Sequence, residues 1–148
     1  MKGLLIISGL GILAMLAEIF KFKKLLLPIV LLGIISAFAL NFLEWQTRLD
    51  ISYFDNMISF DKLAIAFSGI ILLTAFFWFI LANNYFDKSS SLVDHFALVL
   101  FALVGALMLT AFKNMTTLFL GIEIMSIPLY VLAASKNEDL KINEAVFK

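Results

Sequence analysis

The stretch 118–130 reads LFLGIEIMSIPLY and sets one carboxylate, Glu123, inside an otherwise apolar run that extends over 116–134. Lys113 precedes the run and Lys136 follows it. Glu123 lies near the middle, so a helix rising about 1.5 Å per residue carries it close to a bilayer midplane. An acid at that depth costs roughly 2.5 to 3.5 kcal/mol on insertion scales, and an ionised one without a partner costs more. Five residues on, Pro128 has no amide proton to give to the carbonyl of Ile124, which opens the helical ladder one residue from the acid. A buried acid on a kinked helix is the chemistry of a site that holds a proton or an ion. Two simpler readings of the same residues stay open: a glutamate that hydrogen-bonds a neighbouring helix, and a proline that only shapes packing.

The chain that must position these residues is 148 long, 63% hydrophobic and only 15% charged. Its mean hydropathy of +1.05 is far above what one soluble core can hide, so an all-α membrane protein is expected. The formal charge is zero and no basic patch interleaved with aromatics appears, so nucleic acid is not an expected partner. There is no cysteine, which excludes disulfides, thiolate metal sites and cysteine-held iron–sulfur clusters. His95 is the only histidine, too few for a zinc or haem site of ordinary composition. No cofactor or metal is therefore expected in this chain.

Hydropathy marks about five transmembrane helices, at 3–20, 25–43, 63–82, 92–112 and 116–134, followed by a polar tail at 135–148. The first run carries its positive cluster, Lys21, Lys23 and Lys24, after the apolar residues, the reverse of a cleavable signal, so it reads as a retained helix. Gly11, Ala14 and Ala17 give it a smooth face, and Ala102, Gly105 and Ala106 do the same for the fourth. Pro28 is expected in the first turn of the second span, and Asn41 near its far end reads as a hydrogen-bonding residue. Ser68 and Thr74 can bond back to their own helix. The acidic connection 44–61, with Trp45, Tyr53 and Phe54, suits the headgroup zone, and a small amphipathic turn is the reading there. Asp94 reads as a first-turn acid of the fourth helix. Asn114-Met115-Thr116 matches a glycosylation acceptor by pattern, at the edge of a membrane helix where chance is the simpler account. With the N-terminus outside, seven lysines fall inside against four basic residues outside, as the positive-inside rule prefers.

The motif LFLGIEIMSIPLY, followed by INEAVFK at 142–148, closely resembles the subunit N family of bacterial proton-pumping NADH:quinone oxidoreductase, respiratory complex I. In that family the fifth helix carries a pattern like LFLGLELLSLPLYVL, and an S-x-E-A-x-x-K stretch leads into the sixth. The resemblance implies that Glu123 is the fifth-helix glutamate of a proton channel, beside the Pro128 kink. It implies an outside N-terminus in the bacterial inner membrane. Glu144 and Lys148 match the later motif, with a helix-start or interface role as the simpler reading. The family pairs its glutamate with a lysine on the seventh helix and continues to about fourteen helices, so the chain reads as the first part of that antiporter-like fold and as an N-terminal fragment. By the same resemblance NADH, flavin, iron–sulfur clusters and quinone belong to other subunits, and the partners are other membrane-arm subunits and the lipid bilayer. Two alternatives remain: a subunit of a multi-subunit sodium/proton antiporter, and a structural or assembly remnant without transport.

Overall fold

The computed structural model describes residues 2–19, 23–46, 51–53, 57–86 and 92–134. Among them are five helices: α1 (Lys2–Ile19), α2 (Lys23–Gln46), α3 (Lys62–Phe86), α4 (Leu92–Thr110) and α5 (Met115–Ala134). The all-α membrane architecture expected from composition is present. Three segments are long and apolar enough to cross a bilayer: Leu26–Gln46, Lys62–Ala82 and Met115–Ala134. The apolar parts of the other two helices, Lys2–Ala17 and Asp94–Thr110, are shorter. At about 1.5 Å per residue they reach roughly 24 to 26 Å, a few ångströms below a hydrocarbon core of about 30 Å. Modest thinning of the bilayer accommodates that difference.

Several helix ends differ from the hydropathy edges. α2 runs on to Gln46 and α3 to Phe86, since a helix continues through polar residues while its own backbone bonds are satisfied. α2 also starts at Lys23, which moves Pro28 from the first turn to the second. Its missing amide leaves only the carbonyl of Lys24 without its helical donor, close enough to the helix start to be tolerated.

In the connection between α2 and α3, whose aromatics and acids suit an amphipathic turn, the described residues are extended instead. It contains a strand pair, β1 (Ile51–Tyr53) and β2 (Ile58–Phe60), antiparallel with Ile51 opposite Phe60 and Tyr53 opposite Ile58. The ISY and ISF triplets alternate β-branched or aromatic residues with serine, which suits a half-buried strand. β2 also pairs on its other side with the link between α4 and α5, through an antiparallel bridge of Ile58 with Phe112. There the Ser59 amide donates to the Ala111 carbonyl at 2.9 Å and the Lys113 amide to the Met57 carbonyl at 3.1 Å. The Lys2 amide meets Glu44 Oε1 at 3.4 Å, so the start of α1, the end of α2, the strand pair and the α4–α5 link share one side of the bundle.

α1, α2, α3 and α4 form a closed ring in which each packs on the next and α4 returns to α1. Their shared core is apolar: Ile7, Val30, Ile34, Leu72, Phe79, Phe96 and Leu100 are all fully buried. Phe79 and Phe96 meet edge to face with centroids 5.1 Å apart, and Trp78 stacks at a right angle on Phe79 at the same separation. Outside the ring the surface is apolar too, with Leu32, Leu63 and Leu81 each about two-thirds exposed, as a lipid-facing surface requires. Packing and polar clasps, not expulsion of water, must then hold the helices together. One clasp joins α2 to α3, where Asn41 Nδ2 donates to Ser68 Oγ at 3.3 Å. The Ser68 hydroxyl bonds back to the Ala64 carbonyl, and Thr74 Oγ1 donates to the Ile70 carbonyl at 2.9 Å, as their positions implied.

Candidate functional site

α5 begins at a well-made cap. Asn114 Oδ1 accepts from the Thr117 amide at 2.8 Å and from the Thr117 hydroxyl at 2.9 Å, while the Leu118 amide donates to the Asn114 carbonyl at 3.1 Å. The side chain that fits a glycosylation pattern is therefore engaged in starting the helix. α3 starts the same way, with Asp61 Oδ1 accepting from the Ala64 amide at 2.8 Å.

From this start α5 runs along α4, the neighbour with which it makes its extensive contact. The seam is built on two glycines. A methyl group on Gly105 of α4 would run into the Met125 amide of α5 and lie 2.8 Å from the Gly121 carbonyl. A methyl on Gly121 would lie 2.8 Å from Leu109 Cδ2. Of the small residues at 102, 105 and 106, Gly105 does what the sequence pattern implies and lets two backbones approach, while Ala102 and Ala106 line the groove between α3, α4 and α5. The seam face of α5 carries Thr117, Gly121 and Pro128, its buried residues.

Glu123 is the ninth of the twenty residues of α5, so it sits roughly 12 Å along the helix from its start, at mid-depth. With about 100° of turn per residue it lies roughly 160° around the helix from Gly121, directly away from α4. Its neighbours on that face are Phe119, Ile127 and Tyr130, all exposed at 56 to 61%. Glu123 itself is half-buried. Ser126, one turn on, donates its hydroxyl to the Glu123 carbonyl at 3.3 Å. Among the described residues the Glu123 carboxylate has neither an ion pair nor a hydrogen bond.

The structure does not bring the two singled-out residues of α5 together on one face. Pro128 is buried towards α4, roughly 140° around the helix from Glu123. A groove of about 480 Å³ between α3, α4 and α5, lined among others by Thr74, Trp78, Ala106, Met125 and Leu129, also stays clear of the acid. Glu144 and Lys148, with the whole polar tail 135–148, lie outside the described residues. The same holds for Lys21 of the positive cluster that follows the first helix. Among the described residues no group of three His, Asp or Glu side chains is placed to hold a metal ion.

Two features escaped the sequence reading. The Asn114 cap was legible in the Asn-x-x-Thr spacing before an apolar run, a standard helix-start signal. The strand pair and its attachment to residues 111–113 had no comparable signal, because three-residue strands are too short to show a period.

No protein-family model matches the chain. Among curated proteins, one from Flavobacterium johnsoniae named NADH-quinone oxidoreductase subunit N is 41% identical over 149 aligned positions, which cover all of this chain and 32% of that protein. A protein of the same name from Cytophaga hutchinsonii is 39% identical with the same coverage. NAD(P)H-quinone oxidoreductase subunit 2 of the Chlorokybus atmophyticus chloroplast is 30% identical over 83% of this chain and 24% of its own length. The chain spans about a third of the length of these two subunit N relatives. Their similarity runs through every helix described above, including the apolar span around Glu123, so over its own length this chain is similar to about a third of the length of proteins named NADH-quinone oxidoreductase subunit N.

Proposed function

We propose that this chain is part of a proton-translocating membrane-arm subunit of NADH:quinone oxidoreductase, with Glu123 as the group that holds and releases a proton in mid-membrane. One observation carries the reading: a carboxyl at mid-depth on the side of α5 turned away from α4, among apolar neighbours and without a partner among the described residues. An acid left facing hydrocarbon is costly, so this face of α5 calls for a polar covering that the five helices do not supply. The relatives are about three times as long, which leaves ample chain for one. A cation brought within a few ångströms of a dry carboxyl favours its ionised form, and withdrawing the cation favours the protonated form. Motion of such a cation, driven by electron transfer to quinone in other subunits, would make Glu123 take up and give off a proton once per cycle.

In this reading the chain binds neither NADH nor flavin, and iron–sulfur clusters and quinone belong to its partners. Those partners are other membrane-arm subunits in the bacterial inner membrane. The strand pair and the α4–α5 link lie on the outer side with the N-terminus, as the distribution of lysines prefers.

The test is Glu123→Gln in membrane vesicles that carry the assembled complex, with protons translocated per NADH oxidised as the readout. The ratio is expected to fall, with no dependence on sodium. An unchanged ratio would leave a non-transporting role, and a sodium-dependent flux would point to sodium/proton exchange; either result overturns the proposal.

A further inference from the structure

The carboxyl is placed by a helix that is tied down at its start. α5 has one substantial neighbour, α4, and a glycine-lined seam sets how close the two helices come. What fixes where α5 starts is outside the bundle. Only residues 111–114 separate Thr110, the last residue of α4, from Met115, the first of α5. Both ends of that short link are pinned. The Ser59 amide holds the Ala111 carbonyl, the Met57 carbonyl holds the Lys113 amide, and Ile58 pairs with Phe112. Asn114 then takes the Thr117 amide and hydroxyl on one oxygen. No slack lies between the strand pair and the helix, and Thr117 is itself buried. A displacement of the link is passed to the first turn of α5 and from there along a rigid helix to Glu123, roughly 12 Å away.

We propose that β2 and Asn114 are positioning groups for Glu123: the strand sets the position of the link and the cap sets the first turn, so that an extramembrane hairpin between α2 and α3 determines the depth and facing of an acid on α5. The inference rests on the reading of Glu123 as the translocating acid.

Two substitutions separate the strand from the cap. Ser59→Pro removes the amide that bonds Ala111 and leaves the β1-facing amides of Ile58 and Phe60 in place, since the Ser59 amide points to the link. Asn114→Ala removes the acceptor of the Thr117 amide, and Asn114→Asp keeps it. All are made in the full subunit and read in the assembled complex, as protons translocated per NADH oxidised and as amide exchange over residues 111–118. Asn114→Ala should speed exchange at Thr117 about fivefold, the effect of losing a helix cap. Both Ser59→Pro and Asn114→Ala should lower the ratio, and Asn114→Asp should restore it, which a general loss of stability or assembly would not do. If Asn114→Ala and Ser59→Pro leave the ratio intact while Glu123→Gln lowers it, the positioning role is overturned and the function reading stands. If Glu123→Gln also leaves it intact, the function reading fails first. A ratio lowered equally by Asn114→Asp and Asn114→Ala overturns the role of the cap.

Discussion

The α4–α5 seam gives the sharpest quantitative expectation. In Gly105→Ala the new methyl lands 2.8 Å from two backbone atoms of α5, the Gly121 carbonyl oxygen and Met125 Cα, and closer still to the Met125 amide nitrogen. None of these can rotate away, as a side chain could. Relief to an ordinary contact near 3.4 Å therefore means moving the helix axis outward by more than about 0.6 Å, since the amide nitrogen is closer than the two atoms at 2.8 Å. A gap of 0.5 to 1 Å forfeits about a quarter to a half of the dispersion energy of the contacts it opens, here those around Thr117, Gly121 and Met125. Overpacking of this kind costs about 1 to 3 kcal/mol. Gly121→Ala is the internal control. Its new methyl meets Leu109 Cδ2 and Cγ, at 2.8 and 2.9 Å, which belong to a side chain and not to backbone, so the cost should be the smaller of the two. Unfolding of the chain in bicelles by titration with sodium dodecyl sulfate, followed by far-ultraviolet circular dichroism, measures both. Gly105→Ala should lose at least about 1 kcal/mol more than Gly121→Ala, in line with overpacking costs. Equal stabilities, or a larger loss at 121, would refute the idea that α5 rests on α4 backbone to backbone.

Two other expectations concern the bundle. Asn41→Ala should cost about 0.6 kcal/mol, the typical worth of an interhelical hydrogen bond in a membrane, and a double-mutant cycle with Ser68→Ala should recover most of it as coupling. Pro128→Ala restores an amide to the Ile124 carbonyl on the α4 side of α5, so it should change the unfolding midpoint while lowering the proton ratio less than Glu123→Gln does, because the acid lies on the other side of the helix.

Much of this arrangement was readable from residue types, and the reasons are physical. Apolar runs near twenty residues long have one inexpensive state in a bilayer, which is why five helices are evident from hydropathy. Gly105 was legible as a contact residue because a stripe of small residues has few other uses in a lipid-facing helix. Ser68 and Thr74 were legible because a hydroxyl in hydrocarbon has its own preceding turn as the nearest acceptor. What escaped was non-local. That Pro128 and Glu123 point apart follows only once the partner face of α5 is known, since periodicity gives their relative angle but not which side meets α4. The attachment of β2 to the α4–α5 link joins stretches some fifty residues apart through main-chain atoms, which every sequence supplies equally.

The bridge between Ile58 and Phe112 also orders events during synthesis. The connection after α2 emerges early, yet its second strand finds its far-side partner only when the end of α4 has been threaded to the same side of the bilayer. Until then the outer edge of β2 has open amides and carbonyls, and a ribosome that stalls between α3 and α4 would leave it exposed to other chains. Completion of this pairing thus comes due as α5 begins to insert.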